Sequence, residues 1–491
     1  MKIALIIPNN NSANQKNYYE YKFISRFIFS KKFFSYPLAI PTLASLTPPE
    51  HEVRIFDENL ENIDYSWDAD LAGITVLTMN ANKAYSISES YRSRGVKTVL
   101  GGIHPSMCPD EALQHCDSIV IGEAEGVWQT LLRDAQLGYL RSQYKAENFV
   151  DLVTSPIPSR SLLAKNDYIS DIVQTTRGCP FHCEFCSVHA YSGTKIRNKT
   201  VNHVIEDIKE IQNERLKYKK KAVFFADDNI IANRKFAREL FVALKEYNIK
   251  WSCQASINIS RHDELLELMK ESGCGAILIG LESVSSQNLS RMDKGVNMKH
   301  DYLEAIEKIQ SYGIRVDGSF VVGYDFDSEN TFNDLIDFID ESKLLMPLIN
   351  LITPFPGTKL FKRFEEEGRI IHKDWSKYDT KSLVFVHPRM SHEELLREYR
   401  RIIRHVYSFD TIYKKLQYYW NIDFWKHLNE NDPIKFKYRL LFFIRLFTLL
   451  FSLNIKRSKF ILKIIPRIFS ERTRISVILA LMAYNDYAYS L

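Results

Sequence analysis

Three things are scarce in this sequence, and each narrows what the chain can be. Net charge is one: 65 Lys and Arg stand against 60 Asp and Glu in 491 residues, leaving +5. So small a surplus leaves no footprint for nucleic acid unless it is clustered, and no nucleic-acid partner is expected. Extended apolar stretches are the second. Ile3 to Pro8 is too brief for a signal h-region and has no small-residue cleavage site behind it. Leu440–Leu453 is interrupted by Arg445 and falls short of the ~20 residues a spanning helix needs. Cysteine is the third, with seven in the chain, an odd number, three of them within eight residues. Without an export signal this points to metal or catalytic use rather than disulfides, and the protein is read as cytoplasmic.

What remains is ordinary for folded matter. Apolar residues are 45% and charged residues 25%, and the length predicts two to four domains. Up to residue 138, short apolar runs alternate with helical patterns. Strands are expected at Lys2–Pro8, His51–Asp57, Leu71–Leu77, Val96–Gly101 and Ser118–Gly122, with helices such as Asn82–Arg94 and Glu125–Leu137 between and after them. Such alternation predicts a doubly wound, flavodoxin-like parallel sheet, which binds ligands at the carboxyl ends of its strands. Those ends carry Asp57-Glu58-Asn59, Gly101-Gly102-Ile103-His104 and Gly122-Glu123. An aromatic and basic insertion, Tyr18–Tyr36, departs from the pattern. It suits a lid, a lipid-touching surface or a loop packed on the neighbouring domain.

Residues 139–170, with Ser155-Pro156-Ile157-Pro158, are read as a linker. A second series then gives strands at Asp171–Thr176, Ala222–Asp227, Lys250–Ser256, Ala276–Glu282, Arg315–Gly323 and Leu348–Pro354. Six β/α repeats over 171–360 predict a partial TIM-like barrel with its chemistry at the strand carboxyl ends. From 361 to 491 the pattern is mostly helical, ending in a basic apolar tail. Between 431 and 470 there are nine cations (Lys435, Lys437, Arg439, Arg445, Lys456, Arg457, Lys459, Lys463 and Arg467) against Asp432 alone. An interfacial helix in peripheral contact with a membrane fits that composition, as does a basic helix packed on the barrel.

Directly after the first strand of the second series stands Arg177-Gly178-Cys179-Pro180-Phe181-His182-Cys183-Glu184-Phe185-Cys186, a C-x3-C-x2-C spacing. Three thiolates on one tight loop hold three of the four irons of a cubane cluster and leave the fourth open. His182 and His189 keep zinc as the alternative. The other four cysteines, Cys108, Cys116, Cys253 and Cys274, are not placed for a cluster.

This motif in this place resembles the radical S-adenosylmethionine superfamily, over about residues 171–360. The resemblance implies a 4Fe–4S cluster on Cys179, Cys183 and Cys186, with S-adenosylmethionine on the open iron. It implies further contacts to S-adenosylmethionine from Phe185, next to the third cysteine, from Glu282 in Gly280-Leu281-Glu282-Ser283, and from Asp227 and Asp228. Many members carry Gly-Gly-Glu at this last place, so Asp227-Asp228 is a departure, similar to cobalamin-dependent members. The first series, with Gly101-Gly102-Ile103-His104-Pro105 and Gly122-Glu123-Ala124-Glu125, resembles their cobalamin-binding domain. Asn59, Gly101, Gly102, His104, Gly122 and Glu123 are then the cobalamin contacts. Most cobalamin proteins use Asp-x-His-x-x-Gly; here Asp57-Glu58-Asn59-Leu60-Glu61-Asn62 has Asn59 for the histidine. His104 either approaches the cofactor or is an ordinary loop histidine.

The resemblance implies a C-methyltransferase acting on an unactivated carbon through a 5′-deoxyadenosyl radical and methylcobalamin. Residues Leu351–Tyr407, with Asp374-Trp375 and Arg389-Met390-Ser391, are similar to hopanoid-type methylases, which implies a small-molecule or lipid substrate. A flavodoxin or ferredoxin reductant is the expected partner. The alternatives are cyclisation, rearrangement or oxidation without methyl transfer, a methylthiotransferase, and a non-catalytic iron–sulfur protein. A methylthiotransferase carries a second cluster in its N-terminal domain, where only Cys108 and Cys116 are available.

Overall fold

The computed structural model describes residues 1–9, 34–163, 168–217, 222–422, 424, 455–467 and 475–490. Most of the insertion at Tyr18–Tyr36, and the tail from Pro433 to residue 454, lie outside them. The described residues form two compact units: 1–243 with 352–386, and 244–351 with 387 onward.

In the first unit, β1 (Lys2–Ile7), β2 (Glu52–Asp57), β3 (Leu71–Thr75), β4 (Lys97–Gly101), β5 (Ser118–Ile121) and β6 (Gln143–Lys145) make one sheet in the order β2-β1-β3-β4-β5-β6, parallel throughout. The expected doubly wound sheet is present, with a correction: it has a sixth strand, β6, inside the stretch read as linker. That strand is three residues long with only Tyr144 buried, so it lacks the apolar run by which the others announce themselves. Alternation of side chains explains the layers. Ile3, Leu5 and Ile7 face a core with Ile40 of the helix Ala39–Leu46 and Trp128 and Leu131 of the helix Trp128–Gln136. Ala4 and Ile6 face the other core with Ala84, Ile87 and Tyr91 of the helix Ala81–Arg92. Trp375, Tyr378 and Val384 join this second core, so residues 352–386 return to the first sheet.

The second series of strands is parallel in every pair within each unit, the half-barrel pattern. Two of its strands lie in the first unit: β7 (Ser170–Val173) pairs with β10 (Ala222–Phe225), Val173 opposite Phe225. Between them a short antiparallel pair, β8 (Thr176–Arg177) and β9 (Arg197–Asn198), frames the cysteine loop. In the second unit β11 (Trp251–Gln254), β12 (Cys274–Glu282), β13 (Arg315–Val322) and β14 (Leu348–Leu351) pair in sequence order, all parallel. Cys253 and Cys274 are buried in β11 and β12 as small apolar groups.

The helical region begins where Ser391 caps the helix His392–Val406: its hydroxyl accepts from the Glu394 N–H, and the Glu394 carboxylate accepts from the Ser391 N–H in return. The helices Phe409–Asn421, Ile455–Ile464 and Ile475–Ser490 share a core through Leu416, Tyr419, Phe460, Ile461, Ile478 and Leu481. Among the described residues no helix is long and apolar enough to cross a membrane.

Candidate functional site

The cysteine loop leaves β8 at Gly178, where φ is +96° and an added Cβ would lie 2.5 Å from the Lys195 carbonyl oxygen. Only glycine fits so close a turn. The Cys179 N–H donates to the Gly193 carbonyl at 3.3 Å, and the Cys186 N–H to the Cys183 carbonyl at 3.1 Å. Cys183 is buried, Cys179 and Cys186 half-buried, and none is in a disulfide. Burial, then the neighbouring Cys183, Asp228 and Cys179, pushes the Cys186 thiol up to about 12. The three thiols and Asp228 are thus near enough to feel one another, and a bound cation is what would ionise them. Among the described residues no three His, Cys, Asp or Glu converge as a single metal ion requires. A cubane binds each thiolate to a separate iron, so this donor set fits the cluster better than zinc.

Sequence reasoning missed what docks the loop. Glu184 accepts from Arg363 Nε at 2.6 Å and Nη2 at 3.2 Å, and its carbonyl accepts from the Leu360 N–H at 3.0 Å. The helix Lys359–Glu366 is thereby tied to the middle of the motif, a separation of 179 residues that no local signal reveals. Phe185 is half-buried next to Cys186.

Asp227 and Asp228, equal on paper, divide their work. Asp227 is fully buried at the end of β10, and its Oδ1 accepts from the N–H and hydroxyl of Thr175, at 2.9 and 3.1 Å, and from those of Thr176, the hydroxyl at 2.8 Å. It locks the turn between β7 and β8. Asp228 is half-buried, makes no hydrogen bond among the described residues, and is raised to about 6 by burial and then by Asp227.

The carboxyl edge of the first sheet is different in kind. Asn59 donates Nδ2 and its N–H to Asp57 Oδ1, at 2.8 and 2.9 Å, and Tyr168 donates to Asp57 Oδ2 at 2.5 Å. His104 is fully buried, its Nε2 3.0 Å from the Tyr85 hydroxyl and 3.6 Å from Glu111, its ring edge-on to Trp375. The burial of the ring favours the loop-histidine reading, with Nδ1 left without a hydrogen-bond partner among the described residues. Neither side chain offers an imidazole to a cofactor at this edge. Gly101 ends β4, and an added Cβ on Gly102 would lie 2.8 Å from the Val76 carbonyl oxygen. Gly122 follows β5 at φ +78° with open space where a Cβ would stand. That opening lets a flat macrocycle approach bare backbone, so the edge fits cobalamin without a histidine ligand. Glu123 does not face it: both of its oxygens are taken by Arg197, Arg177 and the Val150 N–H.

In the second unit, Glu282 ends β12 at φ +66°, where the register with β13 shifts. A non-glycine residue in that region is strained, as Asn248, Asp293, Lys343 and Thr380 also are. Its Oε1 lies 3.1 Å from Lys294 Nζ, while Asn297 and Tyr302 hold the Gly280 and Leu281 carbonyls.

A cysteine loop on a parallel half-barrel behind a doubly wound sheet defines an enzyme class, and comparison with known proteins agrees. The B12 binding domain model matches residues 37–132, the Radical SAM superfamily model residues 173–339, and a domain of unknown function (DUF4070) residues 358–489. The chain belongs to the cobalamin-binding-domain-containing methylases of the radical S-adenosylmethionine superfamily. It is 34% identical over 391 residues to bacteriochlorophyllide d C-12(1)-methyltransferase of Chlorobaculum tepidum, covering 78% of this chain and 85% of that one. Hopanoid C-2 methylase of Rhodopseudomonas palustris is 28% identical over 395 residues, covering 78% of this chain and 73% of that one. The fold matches the cobalamin-dependent S-adenosylmethionine radical enzyme OxsB, solved with aqua-cobalamin and S-adenosylmethionine, at TM-score 0.63 and 15% identity over 98% of this chain and 78% of that one.

Proposed function

We propose that this enzyme methylates an unactivated carbon of a large, mostly apolar substrate, such as an alkyl substituent of a tetrapyrrole or a ring carbon of a lipid. What carries this reading is one compact unit that holds both a three-cysteine loop and a glycine-opened sheet edge, in a family whose relatives methylate such carbons. When bound, the cluster supplies one electron to S-adenosylmethionine, and cobalamin supplies a transferable methyl group. Cys179, Cys183 and Cys186 hold the cluster. Asp228, the carboxylate left without a hydrogen-bond partner beside Cys186, receives the ammonium of S-adenosylmethionine, while Asp227 keeps the strand ends in place. Phe185 offers its ring to the adenine. Glu282, strained at its strand end, is the corresponding residue to test in the second unit. Gly101, Gly102 and Gly122 let the corrin reach the backbone. A flavodoxin or ferredoxin supplies the electron.

Anaerobic reconstitution with iron, sulfide and hydroxocobalamin, then assay with dithionite and candidate acceptors, tests the reading. Two S-adenosylmethionines consumed per turnover and a product heavier by one methyl group are expected. Deoxyadenosine with an unmethylated, rearranged or oxidised product would mean the family scaffold serves other chemistry.

Peripheral membrane contact is part of this proposal. The helix Ile455–Ile464 exposes Ile455 and Leu462 beside Lys456, Lys459 and Lys463, a face suited to an anionic lipid surface. Flotation with anionic liposomes, comparing the protein with a Lys456→Glu/Lys459→Glu variant, decides it: equal flotation, or none for either, rejects the contact.

A further inference from the structure

Arg177 and Arg197 stand directly opposite each other where β8 and β9 close the base of the cysteine loop. Like charges in that position are destabilising. One carboxylate stands between them. Arg197 donates Nη1 to Glu123 Oε2 and Nη2 to Oε1, both at 2.8 Å. Arg177 Nη1 is 3.2 Å from the same Oε1, and its Nη2 donates to Glu125 at 2.6 Å. The Val150 N–H and the Tyr191 hydroxyl, donating to Glu123 and to the Gly122 carbonyl at 2.8 and 3.2 Å, complete the junction. Glu123 is 7% exposed, and the two arginines are balanced by two acids, both supplied by the loop after β5. A cysteine loop that brought its own counter-charge would not need the first sheet. This one has none at that position.

We propose that Glu123 is a positioning residue, the latch by which the carboxyl edge of the first sheet closes the cysteine loop. The inference rests on the assignment of Cys179, Cys183 and Cys186 to the cluster only in giving the latch a purpose; the closure itself is a property of the cluster-free chain. With the carboxylate gone, two half-buried guanidiniums face each other with Glu125 alone, an uncompensated charge. The loop then opens between Gly178 and Ile196, and the cluster becomes accessible to chelators.

The test uses full-length protein with Glu123→Gln, Arg197→Gln and both together. Hydrogen–deuterium exchange of residues 178–196 is measured without the cluster, and chelator-driven loss of cluster absorbance after reconstitution. Glu123→Gln is expected to speed both about tenfold or more. Adding Arg197→Gln is expected to recover part of that loss, because it removes one of the two repelling charges. A carboxylate that merely fills space gives additive losses instead. Unchanged exchange in Glu123→Gln, or a double variant worse than either single one, overturns the latch. Should Glu123→Gln fail to fold, Glu123→Asp keeps the charge with a shorter reach. Faster exchange confined to 178–196 then supports the proposal, and unchanged or chain-wide exchange overturns it. The cluster assignment is tested separately by Cys183→Ala, so failure of one does not imply failure of the other.

Discussion

Two strand-end edges lie in the first unit, and they treat their polar side chains in opposite ways. Along the doubly wound sheet the charged and polar groups pair with one another: Asp57 with Asn59 and Tyr168, Glu58 with Lys83 at 2.7 Å, His104 with Tyr85. What remains open there is the space where a side chain would stand, at Gly122. At the ends of β7 and β10 the pairing is selective. Asp227 spends its Oδ1 on four donors and keeps its buried Oδ2 without a hydrogen-bond partner among the described residues, while Asp228 lies near three thiols outside any disulfide. The contrast follows from the ligands each edge suits. A broad macrocycle is held by shape and backbone approach, and a free carboxylate near it would be a desolvation cost. A cluster needs thiols outside disulfides, and an ammonium needs a carboxylate with an open oxygen.

Four experiments sharpen or break this comparison. The largest effect belongs to Cys183→Ala, for which dithionite-driven 5′-deoxyadenosine should fall to the level without enzyme; a wild-type rate would refute the cluster site. Next come the paired aspartates. Asp227→Asn should lower the thermal midpoint by removing about 2–4 kcal/mol of stability, since four donors converge on one carboxylate oxygen. Asp228→Asn should leave the midpoint nearly unchanged and weaken S-adenosylmethionine binding by about ten- to a hundredfold, read by equilibrium dialysis. Were the two phenotypes exchanged, the division of roles would be wrong. Gly122→Ala is smaller: left-handed strain of about 1–2 kcal/mol and a filled opening should reduce corrin retained after gel filtration while iron content stays the same. Smallest is an effect of zero. Cob(II)alamin bound to the enzyme should show no nitrogen superhyperfine splitting from protein in its electron paramagnetic resonance spectrum, and His104→Phe should not alter that spectrum. A splitting lost in the variant would place His104 on cobalt.

The sequence carried the architecture because apolar alternation repeats along both sheets. Strand ends fell within a few residues: Leu71–Leu77 against Leu71–Thr75, Leu348–Pro354 against Leu348–Leu351. It failed at β6, whose three residues hold one buried side chain, and at 352–386, where nothing local tells a chain to turn back to a sheet formed some 300 residues earlier. Asn59 was readable as a missing ligand, because absence of an imidazole is a fact of composition. Glu123 was not readable as a partner of arginines 54 and 74 positions away.

By itself, then, the sequence determined the three cysteines, the order of the two strand series and the enzyme family, since spacing on a loop and period along a strand are local properties. Only the tertiary structure decided which aspartate is spent on the strand ends, which histidine is packed away and which glutamate latches the loop. Each of those roles depends on who else has claimed the side chain's hydrogen bonds, and the claimants come from elements far apart in the chain.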